Sequence, residues 1–231
     1  LLVGLVEGGE QRNQDRPFRL PVDRVFSVDG FGTVVTGTLL EGSMQLGEEV
    51  CIYPSEKKAR IRGLQNHDKA EERASAGMRV AVNLSGIDKA DIKRGDTVAK
   101  PGAMVLSRQM DVQLTMLKDA PYAIKNDSQL HFHHGSRELV CKCVVLGKDT
   151  LEPGETGFAQ LRFQEDVAVK NGDHYVVRFF SPMVTVGGGV ILNADPGRHK
   201  RNDPAVLEGL AARASGSSEK QVMEALRQAG S

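Results

Sequence analysis

The sequence predicts an all-β protein made of two consecutive β barrels and a short C-terminal helical segment. The first observation is a dominant period of two, in which apolar and polar residues alternate in short runs rich in Val, Phe and Thr. The second is that such runs recur about every 8–12 residues with glycines between them, which is typical of barrels and sandwiches. The third is a change of pattern after Asn193, where the sequence favours helices.

The first barrel is predicted over residues 17–104. Asp29-Gly30 separates two alternating runs and predicts a β-hairpin, because Gly accepts a positive φ at no steric cost. Further strands are expected over residues 49–53, 58–64 and 79–84. Pro101-Gly102 marks the break before the second barrel.

The second barrel is predicted over residues 105–194. Its strands are expected over residues 108–117, 129–133, 138–146, 156–163, 174–180 and 185–192. Asp203-Pro204 then supplies an N-cap and a proline at the first helical position, which favours a helix over residues 205–214. Ser218 and Gln221 form a capping box before a second helix, over residues 219–229. We interpret residues 195–231 as a basic linker and the truncated start of a further domain, and residues 1–16 as a remnant of, or linker from, a preceding one.

Composition narrows the class of protein. The formal net charge is zero, so contact with a nucleic acid must come from local basic patches. No run approaches the ~20 apolar residues of a membrane helix, and no signal peptide is evident, so no membrane partner is expected. Three cysteines at no framework spacing argue against a disulfide scaffold and favour a cytoplasmic location.

No catalytic motif is present. The phosphate-binding pattern G-x-x-x-x-G-K-[ST] does not occur, and in the most similar string an acid, Glu48, replaces the lysine. Gly187-Gly188-Gly189 precedes an apolar strand instead of a helix, and no G-x-S-x-G elbow occurs. We therefore predict no catalytic residue and no bound cofactor in this chain.

Two short clusters contain zinc-ligand residue types. His131-Phe-His133-His134 and Cys141-Lys-Cys143 lie on strands that a hairpin near residues 135–137 brings together. Neither H-x-H nor C-x-C has the usual zinc-finger spacing, and buried thiols are common in β cores. No metal site is predicted.

Residues 17–37, PFRLPVDRVFSVDGFGTVVTG, resemble the second domain of translational GTPases of the elongation factor Tu superfamily, as do GSMQLGEEV (42–50) and SAGMRVAVNL (75–84). LEPGETGFAQLRF (151–163) and TVGGGVIL (185–192) resemble the third domain. This resemblance implies two six-stranded barrels, and a separate GTPase domain that uses GTP and Mg in the full-length protein.

Three segments resemble the selenocysteine-specific branch of that superfamily: Val22-Asp23-Arg24, Leu130–His134 and Gly197–Arg201. The resemblance implies selenocysteinyl-tRNA and the ribosome as partners, together with the protein's own GTPase domain. It also implies that an mRNA hairpin binds C-terminal winged-helix domains outside this chain. The expected function is delivery of selenocysteinyl-tRNA in translation elongation.

By this resemblance, Asp23, Arg24 and Arg79 form the pocket for the amino acid. A selenol is largely ionised at neutral pH whereas the hydroxyl of serine is neutral, so two arginines distinguish them by charge. Asp23 either orients an arginine or meets the α-amino group. The alternative is that Asp23 and Arg24 form a solvated surface pair and that Arg79 is only the outward residue of an alternating strand.

Two groups of residues are candidates for RNA contact, because phosphates require donors. The first lies on the second barrel and comprises His131, His133, His134, Arg137 and Lys142; the second follows that barrel and comprises Arg198, His199, Lys200 and Arg201. The alternatives are histidines with local partners and a solvated basic linker.

Two other functions fit the barrels. One is a subunit of a metabolic GTPase, such as the sulfate-activating relatives of the superfamily, against which the basic exit segment and the helical tail argue. The other is a docking module with general tRNA binding and no amino-acid pocket. Removal or reversal of the charge of Arg79 separates the docking module from the selenocysteine hypothesis.

Overall fold

The computed structural model describes residues 16–67 and 69–215. The chain divides into two compact units, with the division after Met104. Each unit is built around its own apolar core of inward-facing strand residues. The predicted second helix, residues 219–229, and residues 1–15 lie outside the described part of the chain.

The first unit is a closed barrel. Its strands are β1 Arg19–Val28, β2 Gly32–Thr38, β3 Ser43–Gln45, β4 Glu49–Tyr53, β5 Lys57–Asn66, β6 Lys69–Glu71, β7 Arg73–Ser75, β8 Arg79–Ser85 and β9 Thr97–Ala99, with a short 3₁₀ turn at Lys89–Asp91. Six strands follow the order β4-β9-β1-β2-β8-β5, and pairing of β5 with β4 closes the ring. The three-residue strand β6 pairs antiparallel with the last residues of β5, and β3 pairs with β7 in a separate two-stranded sheet.

The β1–β2 hairpin has a local irregularity that matters for the site. The chain turns at Asp29-Gly30, as predicted, and Gly30 adopts a φ of 77°. Within the hairpin, Val22 pairs with Gly37 and Arg24 pairs with Thr36, so Asp23 is the extra residue of a β-bulge. A bulge bends the strand and changes the direction of one side chain.

The second unit is also a closed six-stranded barrel. Its strands are β10 Val105–Met116, β11 Ile124–Lys125, β12 Ser128–His134, β13 Arg137–Leu146, β14 Thr150–Leu151, β15 Thr156–Val169, β16 His174–Phe179 and β17 Thr185–Asn193. The ring order is β10-β15-β13-β12-β16-β17, and β17 pairs with β10. The prediction of two six-stranded barrels is confirmed. The three consecutive glycines lie within β17, in agreement with the strand predicted over residues 185–192.

A helix covers part of the outer surface of the second barrel. This helix, α1 Pro204–Ser215, confirms the helix predicted over residues 205–214, and the Asp203 carboxylate accepts a hydrogen bond from the Ala205 N–H at 3.0 Å. Leu210 of α1 packs with Val144 and Leu146 of β13 in a small apolar cluster. Within the described residues, no helix combines the length and the apolar character needed to cross a membrane.

Candidate functional site

An ion pair joins two strands on the outer surface of the first barrel. Arg79 Nη1 lies 2.6 Å from Asp23 Oδ2, although the two residues are 56 positions apart in the chain. The hydroxyl of Thr36, on the intervening strand β2, donates to Asp23 Oδ1 at 2.6 Å. Both carboxylate oxygens of Asp23 therefore have a partner.

The charge of Asp23 is stabilised by these neighbours. Burial by itself raises the pKa of this carboxyl, but the hydrogen bonds from Arg79 and Thr36 and the positive charges of Arg79 and Arg24 outweigh it. The net result is a pKa below the ordinary value. Asp23 is therefore an anion at neutral pH and keeps Arg79 in a defined position.

Arg79 and Arg24 remain accessible from solvent. The Arg79 side chain is 55% exposed, even though it is paired with Asp23. Arg24 directly follows the bulge and is also exposed. The structure thus bonds Asp23 to Arg79 and places Arg24 near enough for its positive charge to lower the pKa of Asp23. Two arginines and one aspartate give this group of residues a net positive charge, which suits a small anion.

A polar cavity of about 240 Å³ opens beside Arg79. Besides Arg79 it is lined by three polar residues, Thr36, Gln65 and His67, and by the apolar Val80 and Ala81. His67 stands at the end of β5 with a φ of 47° and is exposed. The cavity places hydrogen-bonding side chains next to the arginine.

A second cavity, of about 330 Å³, adjoins the first and is largely apolar. It shares Gln65 and Ala81 with the polar cavity, and Phe26, Val28 and Phe31 form its apolar wall. The small outward-facing residues of β5 and β8 leave this recess in the barrel surface. A flat apolar group fits there, with polar atoms of Gln65 at one edge.

Sequence reasoning missed the residues of both cavities apart from Arg79. One indication was present, namely Phe31 in the hairpin turn, where polar residues are usual. Phe31 is 58% exposed, and Phe26 and Val28 each are 37% exposed. An exposed apolar cluster of this kind commonly marks a binding site.

The cysteines lie inside the second barrel, whereas His131 and His133 lie on its outer surface. Cys141 and Cys143 are in the core, and burial raises the pKa of Cys143 to about 12. His131 and His133 alternate with the buried Phe132 and therefore face outward. Side chains on opposite faces of a strand pair cannot share one ion, which removes the zinc arrangement considered from the sequence. Across residues 16–67 and 69–215, no group of three or more His, Cys, Asp or Glu side chains is placed to hold a metal ion.

The three candidate histidines of β12 already have neighbours. His131 Nδ1 lies 2.9 Å from Glu138, and His134 Nε2 lies 2.9 Å from the buried Asp173. Burial lowers the pKa of His133, so that its ring is neutral at neutral pH. These three candidates therefore contribute less positive charge to the barrel surface than the sequence indicated.

The cations of the second barrel differ in their pairing. Arg137 donates to Glu165 at 2.9 Å, and Lys142 lies 3.0 Å from Asp127. In the exit segment, Arg201 pairs with Asp149, and the ring of His199 lies 2.7 Å from Asp111. The other two candidates, Arg198 and Lys200, are exposed.

Comparison with known proteins identifies both barrels. Residues 32–99 match the family model described as elongation factor Tu domain 2. Residues 109–198 match the model described as the β-barrel domain of selenocysteine-specific elongation factor. The two models together cover most of the two barrels.

Individual relatives agree with this. The chain is 45% identical over 213 residues to a selenocysteine-specific elongation factor from Desulfomicrobium baculatum, covering 92% of this chain and 33% of that protein. It is 29% identical to the protein of the same name from Escherichia coli (87% and 31%) and 30% identical to elongation factor Tu 2 of Streptomyces avermitilis (80% and 48%). The chain thus spans about a third of the length of its selenocysteine-specific relatives.

Proposed function

Because this chain belongs to the selenocysteine-specific elongation factor family, we propose that its barrels hold selenocysteinyl-tRNA and deliver it to the ribosome. The observation that carries this proposal is the position of Arg79. Asp23 fixes it beside a polar cavity, which shares two lining residues, Gln65 and Ala81, with an apolar cavity. The proposal takes residues 17–104 as the domain for the aminoacyl end and residues 105–194 as the domain for the tRNA body.

The arginines supply the amino-acid specificity. A selenolate accepts hydrogen bonds from Arg79 and Arg24 as an anion, and bonds to ionised partners are about twice as strong as neutral ones. A serine hydroxyl offers no charge, so the same site binds it less favourably. Asp23 orients Arg79, because its two oxygens accept hydrogen bonds from Arg79 and Thr36, and its remaining lone pairs can also accept one from the α-amino group.

The apolar cavity accommodates the terminal base of the tRNA. An aminoacyl-tRNA ends in a nucleoside whose ribose carries the amino acid, so the base and the side chain need adjacent sites. Bases stack on aromatic side chains, and Phe26 and Phe31 provide them. The cavities meet at Ala81, two residues along β8 from Arg79, a separation of about 7 Å.

In the full-length protein, GTP and Mg bound in its own GTPase domain close that domain over the barrels and retain the aminoacyl end, and GTP hydrolysis on the ribosome releases it. The selenocysteine-insertion mRNA hairpin binds the winged-helix domains to which residues 195–231 lead. The expected location is the cytoplasm.

The test is equilibrium binding by this chain within its full-length protein, loaded with GTP. Selenocysteinyl-tRNA, seryl-tRNA and deacylated tRNA with the same tRNA body are compared. We expect the order of affinity to be selenocysteinyl, then seryl, then deacylated. Equal affinity for the two acylated forms would refute the selenocysteine assignment.

That result would favour a general carrier of aminoacyl-tRNA. The similarity to elongation factor Tu 2 supports this alternative. The apolar cavity would serve equally in such a carrier, whereas the Asp23–Arg79 pair would have no specific task. Equal affinity for all three RNAs, including the deacylated one, would instead leave a docking module with no amino-acid pocket.

A further inference from the structure

We infer that the outer surface of the second barrel carries a preassembled phosphate patch, formed by Lys142, Arg162, Arg198 and Lys200, that binds the sugar–phosphate backbone of an RNA. The inference rests on the proposed function, because it assigns the part of the barrel that contacts RNA. Arg162 was not among the residues that the sequence suggested for RNA contact. Lys142, Arg198 and Lys200 were, but as members of two separate groups and not of one surface.

Two cations face each other across neighbouring strands. Lys142 of β13 is directly opposite Arg162 of β15, and both are on the outer face, since the flanking Cys141 and Cys143 are in the core. Like charges in this position destabilise a sheet. Asp127 offsets the charge of Lys142, but the Nε of Arg162 donates only to the neutral amide oxygen of Gln160, at 2.8 Å.

The exit segment is fixed beside Arg162 by buried polar groups. Gln160, which is fully buried, donates through Nε2 both to Asp111 and to the carbonyl oxygen of Gly197, at 3.0 Å each. The same side-chain amide therefore connects Arg162 to the residue that precedes Arg198. Asp111, which is 1% exposed, also holds the ring of His199.

The anchoring of Gly197 and His199 fixes the backbone position of Arg198 and Lys200. Arg198 and Lys200 flank His199, and both are exposed. Gln109 adds a further bond to the segment, donating to the carbonyl oxygen of Pro196 at 2.6 Å. The segment is thus attached to the barrel through its backbone and one ring, while its two long basic side chains stay exposed to solvent.

Three of the four positive charges of the patch are not neutralised within the described residues; the exception is Lys142, which pairs with Asp127 at 3.0 Å. Arg162, Arg198 and Lys200 make no ion pair there. Asp111, the buried acid beneath the exit segment, is engaged by His199 at 2.7 Å. Guanidinium groups bind phosphate oxygens bidentately, and such contacts position an RNA without reading its sequence.

The experiment measures RNA affinity of the full chain across a salt series by fluorescence anisotropy, using deacylated tRNA and a short RNA duplex as probes. Each phosphate contact contributes about 0.7–0.9 to the slope of log affinity against log salt. We expect Arg162→Gln and Arg198→Gln each to reduce the slope by about that amount. The matched control is Arg108→Gln, an exposed arginine of the same barrel that Asp166 neutralises at 3.0 Å.

A reduced slope with both probes supports a patch for any RNA duplex, and a reduced slope with tRNA alone supports a patch for the carried tRNA. Wild-type slopes in both Arg162→Gln and Arg198→Gln overturn the inference, as does an equal loss in Arg108→Gln. Thermal unfolding confirms that each variant is folded, and exposed Arg198 tests the patch independently of Arg162. The preference for selenocysteinyl- over seryl-tRNA reports on Arg79 and should not change, so failure of the patch is distinguishable from failure of the proposed function.

Discussion

At the scale of single residues, the site depends on one carboxylate. Asp23 lies in a β-bulge of β1, and its side chain pairs with Arg79 of β8, a strand far from β1 in the sequence. The pair is partly exposed, so its direct contribution to stability is small, on the order of 0–1 kcal/mol. Its main effect is to set the position of the guanidinium before a ligand arrives.

The pKa of Asp23 provides a direct check of this pair. The carboxyl should titrate below about 3.9, the value for an unperturbed aspartate. Because the folded-state pKa is lowered, the pair stabilises the fold above that value and loses its contribution as the pH falls through the folded-state pKa. Arg79→Met should raise the titration midpoint, measured by carboxyl NMR, and Arg24→Met should raise it less. Identical midpoints in wild type and Arg79→Met would contradict the account.

At the scale of elements, the strands were predictable and the cavities were not. Alternation of apolar and polar residues identifies a strand and its inward face, so the barrel strands and α1 were expected close to their observed positions. A cavity forms from outward residues of strands distant in sequence, such as Phe31 beside β5 and β8. Pattern along one strand carries no information about which other strand lies next to it.

The same limit applies to pairing of charges. The histidines looked like a basic surface in the sequence, but their carboxylate partners come from other positions, among them Asp173 from beyond β15. The anchoring of the exit segment likewise depends on Asp111 and Gln160, two buried polar residues on outward strand positions. Such residues appear in the sequence as ordinary solvent-facing ones.

The glycine run of β17 yields an element-scale prediction. A Cβ on Gly189 would overlap the carbonyl oxygen of Gln113, because β17 and β10 approach closely there. Gly189→Ala should therefore destabilise the second barrel, by about 1–3 kcal/mol in urea unfolding. Gly209→Ala is the matched control: no atom lies within 4 Å of its Cβ, and in α1 it should stabilise by about 0.5–1 kcal/mol. Equal effects of the two substitutions would contradict the packing described for β17.

At the scale of the whole molecule, the net charge of zero conceals two local concentrations of positive charge. One is the pair of arginines around Asp23 on the first barrel, and the other is the patch around Arg162 on the second. Each barrel has its own core, so each surface can be altered without disturbing the packing of the other unit. This separation makes amino-acid recognition and RNA-backbone binding separately measurable.

The most direct measurement is a double-mutant cycle between Arg79 and the selenium atom of the ligand. Wild type and Arg79→Ala, each within the full-length protein loaded with GTP, are titrated with selenocysteinyl-tRNA and with seryl-tRNA. We expect a coupling free energy of about 1.5–3 kcal/mol, as for a hydrogen bond to a charged group. Additive effects, within about 0.5 kcal/mol, would mean that Arg79 does not contact the selenolate and would rule out a charge-reading pocket at Arg79.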